Sequence, residues 1–288
     1  MKSKIKKLAA VAAALTMTAS LGGCAVAAQK EPDGEQTDIT EQLPDTELDG
    51  TRPPEVEAPP ATDAPSTPSV PEEPPKAKTV SYITTTTNGV NLRSGAGTNY
   101  AVKGTAEHAT LYANNGTVNG WYKTGYKNGS VYLSAKYGKT VEMTASEDER
   151  IEAVIAEGTK LLGTAYVWGA VRYHDGDGKL LKNFTTSAFD CSSLMQYIFF
   201  TGAHVKLQLT TRTQIYQGKT VSKSQLRRGD LMFFTNESRK DKVGVERVGH
   251  VALYLGDNWI LHTASDYAKI EQISAKRWSY FIQGQRIF

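Results

Sequence analysis

Cysteine is nearly missing from this chain. Two in 288 residues exclude a disulfide scaffold and a zinc site made of cysteine clusters. Proline is absent after Pro75, and all 11 prolines lie between Pro32 and Pro75. No apolar run approaches the ~20 residues of a membrane-spanning helix. No dense basic run points to nucleic acid, which is not an expected partner. What remains is near the globular average, 40% hydrophobic and 22% charged, so wholesale disorder is excluded. The formal net charge of +3 averages unlike segments. Residues 24–78 carry 13 acids and 4 bases, whereas 79–288 carry 25 bases and 17 acids.

Residues 1–23 hold Lys2, Lys4, Lys6 and Lys7, no acid, and an apolar stretch at 8–17. That stretch is too short to span a bilayer and reads as the core of a secretion signal. Leu21-Gly22-Gly23-Cys24 looks like a bacterial lipobox. The resemblance implies cleavage before Cys24, lipidation of its sulfur and an extracytoplasmic protein anchored to the cell membrane. The alternative is an ordinary secreted protein. Residues 24–78 are poor in aromatic and β-branched residues and rich in Pro, Glu, Asp and Thr, which predicts a disordered, acidic linker. Such a segment spans about 40 Å as a coil and up to about 150 Å fully extended.

From 79 to 143 the turn pairs Asn88-Gly89, Asn115-Gly116, Asn119-Gly120 and Asn128-Gly129 punctuate short Val-, Thr- and Tyr-rich runs at 79–86, 110–112, 121–126 and 130–133. That spacing predicts a small β-barrel. The runs starting Gly89-Val90-Asn91-Leu92-Arg93, Asn119-Gly120-Trp121-Tyr122 and Gly129-Ser130-Val131-Tyr132 resemble a bacterial SH3 domain. That family binds cell-wall peptides or packs on a catalytic neighbour. Trp121 and Tyr122 fit a stacking platform, but in a barrel this small they fit the core better.

Residues 146–288 begin with an amphipathic helix, capped within Ser146-Glu147-Asp148-Glu149 and ending at Gly163. A second helix is expected in the stretch Phe189 to Phe200, with Asp190 as its N-cap and Cys191 in its first turn. There the helix dipole favours a thiolate, although a lone cysteine also reads as a small buried hydrophobe. His250 and His262 lie on two strands around Gly256-Asp257-Asn258. A three-residue loop sets Ala252 opposite His262 and makes His250 its diagonal neighbour, about 7–8 Å away. Another loop length would put the two histidines on opposite faces. A thiol, a histidine base and a polar orienter are the parts that nucleophilic acyl transfer needs.

Five motifs occur in the order of the NlpC/P60 family: Tyr166-Val167-Trp168-Gly169, Phe189-Asp190-Cys191-Ser192, Leu209-Thr210-Thr211-Arg212-Thr213, Arg228-Gly229-Asp230-Leu231 and Gly249-His250-Val251-Ala252. The region resembles these papain-like cysteine peptidases of bacterial cell-wall peptides. The fold class implied is α+β, a papain-like domain preceded by a small SH3-like barrel and the Pro-rich linker. By the same resemblance Cys191 is the nucleophile, His250 the base and His262 the third catalytic member, while Tyr166, Asp190 and Ser192 line the substrate site. In members that require a free peptide N-terminus, the counterparts of Tyr166 and Asp190 contact that amine. The implied reaction is hydrolysis of the γ-D-glutamyl–diamino acid bond in peptidoglycan stem peptides, with no metal or organic cofactor. Two rivals remain: an amidase or acyltransferase on the same site, and a non-catalytic wall-binding lipoprotein. Thr210 and Arg228 stand where the family usually has proline, and are expected to cost only rigidity. Ser193 replaces a common glycine. Residues 171–187 form an insertion, expected to be a turn or hairpin at the cleft rim.

Overall fold

The computed structural model describes residues 77–288. The expected secretion signal, the expected lipidation site Cys24 and nearly all of the expected linker lie outside the described residues. The described residues fall within one compact unit, and no helix among them is long and apolar enough to cross a membrane.

Eight strands come first: β1 (Thr79–Thr85), β2 (Val90–Arg93), β3 (Val102–Ala106), β4 (Leu111–Ala113), β5 (Thr117–Val118), β6 (Trp121–Tyr126), β7 (Gly129–Ser134) and β8 (Gly138–Thr144). They form two antiparallel sheets, ordered β4-β1-β8 and β3-β2-β7-β6-β5. Ile83, Leu92, Leu111, Val131 and Leu133 are buried in this module. Turn chemistry explains its hairpins. Asn119 and Gly120 both take positive φ between the paired Val118 and Trp121, the backbone of a type I′ turn. At the next hairpin the expected Asn-Gly pair is displaced by one residue. Lys127 and Asn128 take the positive φ values, and Gly129 pairs with Tyr126 as the first residue of β7. Strands β3 and β8 carry no strong turn pair and escaped the sequence pattern. Tyr122 packs against the core, as expected, but Trp121 lines a surface groove with Arg93, Lys136 and Tyr137.

The second part runs α1 (Glu149–Lys160), β9 (Ala165–Tyr166), β10 (Ala188–Phe189), α2 (Cys191–Ala203), α3 (Thr211–Gln214), β11 (Lys219–Val221), β12 (Leu231–Phe234), β13 (His250–Gly256), β14 (Trp259–Ala264), β15 (Tyr267–Gln272), α4 (Ala275–Ser279) and β16 (Phe281–Arg286). Its eight-stranded sheet has the order β10-β9-β15-β14-β13-β12-β16-β11, antiparallel except for β10 on β9. Helix α1 starts from the Asp148 cap and stops at Leu161, two residues before the expected Gly163. Helix α2 packs on α1 and lies across β13 and β14. Its Leu194, Met195, Ile198 and Phe199 are fully buried, each such side chain contributing about 1.5–3 kcal/mol. A Cβ at Gly202 would meet the Val154 backbone at 2.7 Å, so only glycine allows this approach of α2 to α1.

The two parts are joined by polar contacts as well as packing. The N–H groups of Lys127 and Asn128 donate to the Leu162 and Lys160 carbonyls, so a β-hairpin satisfies the open C-terminus of α1. Arg228, expected to be an indifferent replacement of a proline, corrects that expectation. Its guanidinium donates to both Glu152 carboxylate oxygens (2.6 and 2.8 Å), the Leu255 carbonyl and the Tyr82 hydroxyl. One buried side chain thus ties α1, β13 and β1 together. Thr210 likewise has a role, as the N-cap of α3, where its N–H donates to the Thr213 hydroxyl at 3.1 Å.

Candidate active site

The parallel pairing of β9 with β10 sets Tyr166 beside Phe189, one residue before Asp190. Asp190 then caps α2: its Oδ1 accepts from the Ser193 N–H at 2.8 Å, and the Ser193 hydroxyl accepts from the Asp190 N–H. Cys191 is therefore the first helical residue, where the sequence expected it. Its thiol state is not the one expected. Burial pushes the Cys191 thiol up to about 11, the Asp190 charge adds to this, and the Val251 and Ser192 N–H groups only partly offset it. With Cys191 only 8% exposed, desolvation outweighs the helix dipole.

The histidines meet as the conditional register required. Leu253 pairs with Leu261 and Tyr254 with Ile260, which sets Ala252 opposite His262. The loop itself is a two-residue Asp257-Asn258 turn, both φ positive, followed in register by a bulge at Leu255. The bulge restores the alignment of a three-residue loop, so both histidines face one side. His250 Nε2 lies 3.0 Å from His262 Nδ1, and His262 Nε2 lies 3.0 Å from Glu271 Oε1.

Glu271 was not anticipated. It sits on β15, one strand beyond His262, and its Oε1 also accepts from Arg277 Nη2 at 3.0 Å. Burial raises its pKa, but the hydrogen bond from His262 and the charges of His262, Arg277 and Lys269 win and hold it below the usual carboxylate range. An ionised carboxylate only accepts, so His262 must carry its proton on Nε2. Its bare Nδ1 then accepts from His250 Nε2–H, which leaves His250 Nδ1 unprotonated. Burial lowers the pKa of both histidines, strongly for His250, where the charges of His262 and Arg277 act in the same direction. The Cys191 thiol and the His250 imidazole are thus both neutral near neutral pH, with the unprotonated nitrogen of His250 fixed by its partners. Glu271 had no signal in the sequence except its place nine residues after His262 across a hairpin.

Tyr166 touches both sides of the cleft. One side, about 360 Å³, runs from His250 to Lys276, Arg277 and Tyr280. The other, about 300 Å³, holds Asp190, Cys191 and Ser192 together with Arg172, Arg212 and Arg239. Burial and the charges of Cys191 and Asp190 raise the Tyr166 pKa. Ser192 is buried, its hydroxyl donating to Asp190 Oδ1 at 3.0 Å. Arg212 lines the cleft while bonded to Glu246 at 2.7 Å. The 171–187 insertion forms a hairpin, with His174 bridged to Leu180. It is pinned to α2 by the Tyr173 ring, which packs edge-on against Phe184, Tyr197 and Phe200. Its Arg172 reaches the cleft and bonds Asp190.

With this geometry in place, the model of the NlpC/P60 family matches residues 163–286. Those residues form an NlpC/P60 domain. The peptidoglycan endopeptidase RipA of Mycolicibacterium smegmatis is 32% identical over 138 residues, 48% of this chain and 24% of RipA. The peptidoglycan DL-endopeptidase CwlO of Bacillus licheniformis is 28% identical over 145 residues, 49% of this chain and 29% of CwlO. The match thus spans about a quarter of these relatives' length. Among solved structures, RipD of Mycobacterium tuberculosis, described as a non-catalytic NlpC/p60 domain protein, aligns over 49% of this chain and 99% of its own at 25% identity and a TM-score of 0.38. The NlpC/P60 domain of this chain comprises every residue of the cleft described above.

Proposed function

We propose that the chain is a cell-wall peptidoglycan hydrolase, a cysteine endopeptidase that cuts the γ-D-glutamyl–diamino acid bond of stem peptides. The observation that carries the reading is the hydrogen-bonded series His250–His262–Glu271 on β13, β14 and β15, where the N–H of Val251, next to His250, bonds the Cys191 sulfur. The endopeptidase names of RipA and CwlO support the substrate class.

The tautomers fix the direction of proton flow. His250 Nδ1 takes the Cys191 thiol proton as Sγ attacks the γ-carbonyl carbon, so the buried pair becomes charged only as bond formation proceeds. The Cys191 N–H, unpaired at the first position of α2, faces the developing oxyanion. Collapse breaks the C–N bond, and the diamino acid amine leaves with the proton from His250. Water then attacks the thioester, gives its proton to His250 Nδ1, and the acid is released as the thiol regains that proton. The imidazolium formed at each stage is stabilised through His262 by the Glu271 carboxylate.

Around this domain, the barrel of residues 79–143 is proposed to be a bacterial SH3 domain, with 146–288 as the catalytic domain. Residues 1–23 are proposed as a lipoprotein signal, Cys24 as the anchor and 24–78 as the tether to the membrane. The net positive charge of 79–288 suits an anionic wall. The reading is tested by incubating the chain with defined muropeptides and weighing the products. Fragments ending in γ-D-glutamate are expected; release of a different amine would make the protein an amidase of another bond.

A further inference from the structure

The Asp190 carboxylate has no acceptor site left for a ligand. Its Oδ1 takes the Ser193 N–H at 2.8 Å and the Ser192 hydroxyl at 3.0 Å. Its Oδ2 takes Arg172 Nη1 at 2.8 Å and the Gly169 N–H at 3.2 Å. Two carboxylate oxygens offer about four lone-pair sites, and all are occupied. Arg172 is itself fixed. It donates from Nε to the Leu209 carbonyl at 2.6 Å and from Nη1 to the Ala170 carbonyl at 2.7 Å, and Nη2 lies 3.2 Å from the Ser192 hydroxyl. Its side chain is 17% exposed, and the next residue, Tyr173, is locked into the aromatic cluster on α2.

The charge of this side of the cleft follows. Arg172, Arg212 and Arg239 line it together with Asp190. Arg212 and Arg239 share one oxygen of Glu246. Three guanidinium groups against two carboxylates leave an excess of positive charge. A peptide ammonium entering here meets like charge and has to displace Arg172 to reach Asp190.

We propose that Arg172 closes the amine position at Asp190 and sets the cleft for stem peptides whose N-terminus is acylated, an uncharged amide, against those with a free ammonium. The identity of the peptide rests on the hydrolase reading above; the charge preference rests on the Arg172–Asp190 contacts alone. An acylated end keeps one N–H donor. The Tyr166 hydroxyl, which makes no hydrogen bond to the described residues, lines the same cleft and can accept it.

The test uses the full chain carrying Cys191→Ala, so that binding is read without turnover. Titration calorimetry compares L-alanyl-γ-D-glutamyl-diaminopimelyl-D-alanine with its N-acetyl form. The N-acetyl peptide is expected to bind about tenfold more tightly, the equivalent of one charge-assisted hydrogen bond. Adding Arg172→Leu bares the Asp190 carboxylate and is expected to move the ratio about tenfold toward the free amine. Arg172→Lys, which keeps the charge without the fork, retains most of the acyl preference and controls for misfolding. Equal or tighter binding of the free amine by the Cys191→Ala chain overturns the inference, as does a ratio that Arg172→Leu leaves unmoved. Wild-type cleavage of the same two peptides separates this inference from the function. Cysteine-dependent cutting with a free-amine preference refutes only the role of Arg172, and the expected binding ratio without cutting refutes only the hydrolase reading. Binding of neither peptide refutes both.

Discussion

Glu271 is the residue on which the proposed base depends, because it selects the protonated nitrogen of His262 and so of His250. Groups that orient a ligand or base from behind typically matter by about 10–100-fold. Glu271→Ala is expected to lower kcat by about that factor with little change in KM. Glu271→Gln loses less, since an amide oxygen still accepts from His262 Nε2–H. Steady-state kinetics on one muropeptide checks both, and a change confined to KM would remove Glu271 from the relay. The thiol gives a second expectation at this scale. With Cys191 pushed up to about 11 and His250 pushed down, the resting pair is uncharged near neutrality. Alkylation of Cys191 by iodoacetamide should keep accelerating from about pH 8 to about pH 10. A plateau reached below neutrality would mean a preformed thiolate–imidazolium pair.

Elements bring these residues together through two devices, a capped helix start and a bulged hairpin. Much of that was legible in the sequence. Asp190 announced the start of α2 because a short acceptor before an apolar run has one obvious use, and Gly256-Asp257-Asn258 announced the turn. The bulge at Leu255 was invisible, yet it decides which face His262 takes. Residues far apart in sequence were the illegible ones. Arg172 and Glu271 carry no local pattern, and their partners are set only by the tertiary fold. The same holds for Arg228, where replacement of a turn proline looked like a loss and is a four-way junction. Close packing of α1 on α2 can be tested at Gly202, whose added Cβ would lie 2.7 Å from the Val154 backbone. Alanine gains about 1 kcal/mol in helix propensity, but overpacking against backbone costs about 1–3 kcal/mol. Gly202→Ala is therefore expected to lower the unfolding midpoint, and an unchanged or higher midpoint would mean that the helices separate freely.

At the scale of the molecule, the β1–β8 module and the part that begins with α1 share backbone hydrogen bonds at the end of α1 and the Arg228 junction. Removing the Arg228 side chain leaves Glu152 partly buried and Tyr82 without its donor. Arg228→Ala should destabilise the protein by about 3 kcal/mol, the scale for breaking a largely buried pair, measured by urea unfolding. Replacing Glu152 as well, in Arg228→Met with Glu152→Leu, should recover part of that loss. Stability also follows pH through the buried histidines. His250 and His262 titrate lower in the folded protein than in the unfolded chain, so the unfolded state binds more protons below about pH 6.5 and stability falls as pH drops through that range.

The central claim of the proposed function is Cys191 as the nucleophile. Cleavage of a defined muropeptide by the wild-type chain and by Cys191→Ala, followed by product mass, measures this directly. Loss of about 10⁴-fold or more in the variant, with folding and peptide binding retained, is expected for a covalent mechanism. Cleavage that persists in folded Cys191→Ala would contradict it.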